Sequence, residues 1–128
     1  MRCYHLDMFV SMGPELAAAW PGSCGPGCLG SVIPDGPFGG ACRFHDFAYL
    51  VGGTKADFLA VERAFRSWLF TAARASNRPW LWLPMALTYA AWTRTWGWHL
   101  RRWRRDDKPM TRRELRATKE YRDAQSKV

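Results

Sequence analysis

Between Lys55 and Ala75 the apolar residues Phe58, Val61, Phe65, Trp68, Leu69 and Ala72 recur at three- and four-residue intervals, while Arg63, Arg66 and Ser67 fall on the opposite side. Apolar positions at that period predict one amphipathic helix over the whole stretch. Asp57 and Glu62 lie at opposite borders of its apolar stripe, so either acid could be turned partly inward. Upstream, Ala41 to Leu50 contains neither Gly nor Pro and ends at Gly52-Gly53, which predicts a short helix of about three turns. At 100° per residue Cys42, His45, Asp46 and Tyr49 share one face of it.

Residues 13–40 are dense in Gly and Pro and predict a long, structured loop. Residues 77–103 form an aromatic-rich stretch expected to be broken by Pro79 and Pro84. Its apolar run from Trp80 to Trp92 is short of the roughly 20 residues a membrane-spanning helix needs, so it reads as interfacial or as packed onto the core. After Pro109, Thr111 and Glu114 have capping-box spacing and predict a polar helix over 112–124. No internal repeat is present. The pattern as a whole is that of one all-α domain: a core over residues 1–76 built on two helices, a Trp-rich segment over 77–104, and a basic C-terminal helix and tail over 105–128.

Charge and composition add partners to that outline. The formal net charge is +8, and residues 101–128 carry 11 of the 19 Lys and Arg against five acids. A basic tail is drawn to polyanions, whether nucleic acid or anionic lipid. Of the eight Trp, five (Trp80, Trp82, Trp92, Trp96 and Trp98) crowd in just before that tail. Trp favours a boundary with one apolar and one wet side, so these five, together with Arg101 and Arg102, are candidate membrane contacts. The segment Met1 to Met12 lacks a basic stretch followed by an apolar run and does not read as a secretory signal. Four cysteines, Cys3, Cys24, Cys28 and Cys42, allow at most two disulfides.

A histidine beside an acid on a helix is weak evidence of chemistry by itself; the surrounding residues strengthen it. The chain reads Cys24-Gly25-Pro26-Gly27, then fourteen residues, then Cys42-Arg43-Phe44-His45-Asp46-Phe47-Ala48-Tyr49. This resembles the phospholipase A2 superfamily, whose signature is a Cys-Gly-x-Gly calcium loop followed by Cys-x-x-His-Asp-x-x-Tyr on a helix. Gly52-Gly53-Thr54 is similar to the short connection of the small phage-borne and bacterial members. The resemblance covers roughly residues 20–73.

It implies a calcium-dependent hydrolase that cleaves the sn-2 ester of glycerophospholipids, and the Trp and Arg segment from 80 to 105 would hold that enzyme on an anionic membrane surface. Calcium wants six to eight oxygens, and a glycine-rich loop can turn its carbonyls inward. By resemblance the carbonyls of Ser23, Gly25 and Gly27 join the carboxylate of Asp46, and His45 is the general base on water. A loop amide such as that of Gly25 would help stabilise the oxyanion. The acid that orients the imidazole stands where the family has Asp and this chain has Glu62, seventeen residues after His45; Asp57 is the fallback. Tyr49 matches a tyrosine of the same network, and Cys24 and Cys42 match a disulfide between calcium loop and catalytic helix. Secreted members cross-link their long helices with further disulfides, and this chain has no cysteine after Cys42, so Phe58, Val61, Phe65 and Trp68 must pack on Phe44 and Phe47 instead. Cys3 and Cys28 have no counterpart. Without an export signal, and by analogy with phage-borne relatives, delivery to a target membrane by a particle or toxin is expected.

Two rival readings stand beside this one. Cys24-x3-Cys28-x13-Cys42-x2-His45 could form a three-thiolate, one-imidazole zinc site in a nucleic-acid-binding module. That reading accounts for Cys28 but leaves Asp46, Tyr49 and the Gly-x-Gly unexplained, so nucleic acid is the less expected partner. Alternatively the same fold carries no activity, and the Trp segment with Arg101, Arg102, Arg104 and Arg105 binds or disrupts membranes.

Overall fold

The computed structural model describes residues 3–21, 36–99 and 103–128, and among these the chain is all-α. In order the helices are α1 (Tyr4–Ser11), α2 (Pro14–Ala19), α3 (Gly39–Val51), α4 (Lys55–Ala75), α5 (Pro79–Trp96), α6 (Arg112–Arg116) and α7 (Lys119–Ser126), with a 3-10 turn over Gly36–Phe38 leading into α3. α4 stands where the apolar spacing puts it, and α3 covers the expected Ala41 to Leu50 but starts earlier, at Gly39, and ends at Val51. α4 starts at Thr54 because the Thr54 hydroxyl accepts the Asp57 amide at 3.2 Å, while the Asp57 carboxylate accepts the Thr54 amide at 2.9 Å. This reciprocal cap occupies Asp57 and removes it as the partner of His45.

Three expectations are corrected. The Gly- and Pro-rich stretch contains α2, because Pro14 sits at the first helical position, where its missing N–H costs nothing, and Glu15 to Ala19 are good helix formers. Residues 77–103 are not broken at their prolines: Pro79 opens α5 and Pro84 lies inside it. Pro84 sacrifices one intrahelical hydrogen bond, and the length of α5 packed along α4 outweighs that loss. The single polar helix expected over 112–124 is two, since Thr118 accepts the Tyr121 amide and starts a new helix. The Thr111–Glu114 capping box is present as expected.

α4 is the central element, packed between α3 and α5. Phe44, Phe47, Phe58, Val61 and Leu69 are completely buried, each such side chain contributing roughly 2 kcal/mol of apolar transfer. Trp68 stacks on Phe44 with centroids 5.8 Å apart. Phe9 of α1 wedges beside them, 5.1 Å from the Phe47 ring and 6.3 Å from that of Trp68. The aromatic packing thus supplies the α3–α4 pairing expected of a chain with no cysteine after Cys42, with α1 as an added layer. α7 packs on α2, and Leu115 and Ala124 are buried, so the C-terminal region is a folded element with a basic outer surface.

The turn between α3 and α4 is gripped by distant segments. Gly53 N–H donates to the Arg104 carbonyl at 2.9 Å, and Arg104 N–H donates to the Tyr49 carbonyl at 3.0 Å. The Arg104 guanidinium caps the end of α3 by donating to the carbonyls of Leu50 and Val51. The fully buried Trp103 donates its indole N–H to the Gly53 carbonyl at 3.0 Å. Arg104, grouped by sequence with a membrane-facing cluster, is therefore a clasp, and Arg105 lies over the Trp98 ring at 4.2 Å.

His5 completes this grip, its Nε2–H donating to the Gly52 carbonyl at 2.7 Å. Burial holds the His5 imidazole below its ordinary value; the Gly52 carbonyl and Asp57 pull it up, and Arg104 pushes it down. The unfolded chain therefore takes up a proton at His5 near pH 6.5, where the folded chain still resists one, and stability falls as pH drops through that range. The melting temperature is expected to decline from pH 7.5 to pH 5.5. His5→Gln, which keeps an N–H for Gly52, should melt lower at neutral pH but show a flatter profile. An unchanged slope in that variant would assign the acid sensitivity elsewhere.

Candidate active site

Helix α3 presents His45 to α4, and α4 presents Glu62 back. Cys42, His45 and Tyr49 are buried on the shared face, with Asp46 at its half-buried border. His45 Nε2 lies 2.9 Å from Glu62 Oε1, and the Tyr49 hydroxyl donates to the same oxygen at 2.6 Å. The other carboxylate oxygen, Oε2, accepts from the Thr93 hydroxyl of α5 at 2.8 Å. Three side chains from two further helices thus converge on one carboxylate that is only 4% exposed.

Burial by itself would raise the Glu62 carboxyl, but the hydrogen bonds it accepts, from His45 first and then from the hydroxyls of Tyr49 and Thr93, outweigh it and hold the group below the usual carboxylate range. An ionised carboxylate only accepts, so Nε2 is the ring nitrogen that carries the proton. In the neutral imidazole that tautomer leaves a lone pair on Nδ1. The His45 ring is itself fixed by Tyr49 and Phe65, whose centroids are 4.1 and 4.3 Å away. A positioned imidazole with one nitrogen tied to a carboxylate and the other basic is the arrangement a general base needs.

The structure thus selects Glu62 over Asp57 and joins it to His45 and Tyr49. Ser23, Cys24, Gly25, Gly27 and Cys28 lie outside the described residues, as do Arg101 and Arg102. Asp46 offers the hard oxygen chemistry that calcium prefers, and it is the one member of the implied calcium set among the described residues. Cys3 is a free thiol, whereas Cys42 is disulfide-bonded, which withdraws the Cys42 thiolate from the four-ligand zinc set.

The five clustered tryptophans divide in two. Trp80, Trp92 and Trp96 are 73%, 54% and 44% exposed. Trp82 and Trp98 instead turn inward, Trp82 against Phe38 at 5.5 Å and Trp98 stacked on Phe58 at 5.6 Å, because they fall on the side of the chain that meets the core. Those two are half-buried and pack on the core, unlike the three exposed ones.

Thr93 was not among the residues singled out by sequence. A signal for it does exist in the spacing Ala86, Ala90, Thr93, Gly97, a run of small residues along one side of α5. Ala86, Ala90 and Gly97 are buried, and a Cβ built on Gly97 would meet the Tyr49 hydroxyl at 1.9 Å. Small residues let α5 approach closely enough for a short threonine hydroxyl to reach Glu62. Two concavities, of about 690 Å³ between α1 and α4 and about 450 Å³ beside Trp82, are lined by other residues. In comparison with known proteins, no family model matches the chain, and no curated protein or solved structure matches it.

Proposed function

We propose that the protein is a calcium-dependent phospholipase A2-like hydrolase, cleaving the sn-2 ester of glycerophospholipids at an anionic membrane surface. The observation that carries this reading is the His45 Nε2 to Glu62 Oε1 hydrogen bond at 2.9 Å, formed on the same helix face as Asp46 and Tyr49. That pairing gives the His-Asp-x-x-Tyr pattern a physical role. Glu62 holds the imidazole in the Nε2–H tautomer, and Tyr49 holds Glu62. His45 Nδ1 then takes a proton from water as the water oxygen attacks the ester carbonyl, and the imidazolium returns that proton to the departing lysolipid oxygen. The products are a fatty acid and a lysophospholipid. Asp46, with the carbonyls of Ser23, Gly25 and Gly27 implied by the resemblance, would hold calcium, which supplies a positive centre for the oxyanion.

Attachment to the bilayer is assigned to the outer flank of α5. Trp80, Leu87, Trp92 and Trp96 are exposed there, and the only charged residue in the helix is Arg94. No helix among the described residues is long and apolar enough to cross a membrane. An exposed aromatic flank on a basic protein instead suits a helix lying in the headgroup region of an anionic surface.

Two measurements test this proposal. Purified protein should release fatty acid from mixed anionic phospholipid vesicles with millimolar calcium and lose that activity to chelator; calcium-independent leakage without fatty acid would favour the non-catalytic membrane reading. Trp80→Ala with Trp92→Ala should weaken vesicle binding by about tenfold or more with little effect on melting. Trp98→Ala should do the reverse, lowering melting more than binding. Equal binding by the double variant and the wild type would remove α5 as the anchor.

A further inference from the structure

We propose that Thr93 is a positioning residue for the His45–Glu62 pair, holding the second carboxylate oxygen so that the first stays aimed at the imidazole. The inference rests on the hydrolase reading for its catalytic consequence, but its geometry stands independently. Glu62 Oε1 receives His45 and Tyr49, and Oε2 receives Thr93, so each oxygen is satisfied by a donor from a different direction. A glutamate has one more rotatable bond than an aspartate and reaches its partner with more freedom. Two donors on Oε1 alone would let the carboxylate swing about that oxygen; a third on Oε2 sets its plane.

The threonine itself shows where its hydroxyl is directed. Within a helix a threonine hydroxyl ordinarily donates to a carbonyl three or four residues back. Here the Ala90 carbonyl is 3.3 Å from Thr93 Oγ1, whereas Glu62 Oε2 is 2.8 Å away, and the single hydroxyl proton goes to the shorter, charge-assisted bond. The Thr93 carbonyl also lies 3.5 Å from the Tyr49 hydroxyl, placing the α5 backbone against the second donor of the network.

The role has a definite chemical consequence. Without the Thr93 hydroxyl, Oε2 is a buried carboxylate oxygen lacking a donor, and Glu62 relieves this by rotating or by binding a proton. A rotated carboxylate loses its line to Nε2, and a protonated one no longer enforces the Nε2–H tautomer. Either change leaves less of the imidazole with a basic Nδ1. Thr93 also makes α5, the helix bearing the exposed tryptophans, a contributor to the site.

Thr93→Val keeps the shape and removes the hydroxyl, and Thr93→Ser keeps the hydroxyl. Glu62 should be followed by carbon-13 NMR titration of its side-chain carboxyl in all three proteins, alongside kcat and KM for fatty-acid release from anionic vesicles with calcium. The valine variant is expected to raise the Glu62 titration point and to lower kcat by about tenfold or more with KM little changed. Serine should recover most of both effects. If valine and serine behave alike, or if Glu62 titrates the same with and without the hydroxyl, Thr93 is only a packing residue and the proposal fails. Should the wild type release no fatty acid, the hydrolase reading falls, and the Glu62 titration alone still decides the role of Thr93.

Discussion

His45→Gln is expected to reduce calcium-dependent release of fatty acid by about 10³-fold while leaving the helical fold intact. Glutamine retains an N–H that can reach Glu62 Oε1, which His45 Nε2 approaches at 2.9 Å, so the buried carboxylate keeps a donor and α3 stays docked on α4. What glutamine lacks is a second, basic nitrogen. Proton transfer from water to a positioned base supplies much of the rate in such a site, and an amide cannot perform it. The loss should therefore appear in kcat, with vesicle binding unchanged because the α5 flank is untouched. Retention of full activity in a folded His45→Gln protein would mean that the base is elsewhere.

The second large effect is on stability. Gly52→Ala should lower the melting temperature by roughly 10 °C, corresponding to a loss of about 3 kcal/mol. Gly52 closes α3 with φ of 64° and ψ of −152°, a conformation that side-chain-bearing residues rarely adopt. A Cβ there would stand 2.0 Å from the Arg104 carbonyl oxygen, which is backbone and itself accepts from Gly53. Relief requires moving the segment from Trp103 to Arg105 away from the α3–α4 turn, and with it the Arg104 cap and the Trp103 indole bond. Since His45 is seven residues earlier on α3, activity should fall with stability. A substitution tolerated within about 2 °C would show the turn to be looser than its hydrogen bonding indicates.

Much of the scaffold is legible one segment at a time. The stripe from Phe58 to Leu69 marks α4, and the Thr54–Asp57 and Thr111–Glu114 pairs mark helix starts. These are readable because helix periodicity and capping involve residues within four positions of one another. The face shared by His45 and Tyr49 follows from the same rule. Two of the failures trace to longer-range contacts: α5 runs through Pro84 because it lies along α4, and Trp82 and Trp98 are half-buried against Phe38 and Phe58.

The sequence by itself therefore determined an all-α chain, the two core helices, and the placing of His45, Asp46 and Tyr49 together. Only the tertiary structure decided that Glu62 and not Asp57 meets His45, that Thr93 holds the far side of that carboxylate, that Arg104 serves the α3–α4 turn, and which tryptophans face outward. The physical reason is one of distance along the chain. His45 and Glu62 are 17 residues apart, Glu62 and Thr93 are 31, and Val51 and Arg104 are 53. Their meeting depends on how closely and at what angle helices pack, which the small residues Ala86, Ala90 and Gly97 permit but no local spacing rule specifies.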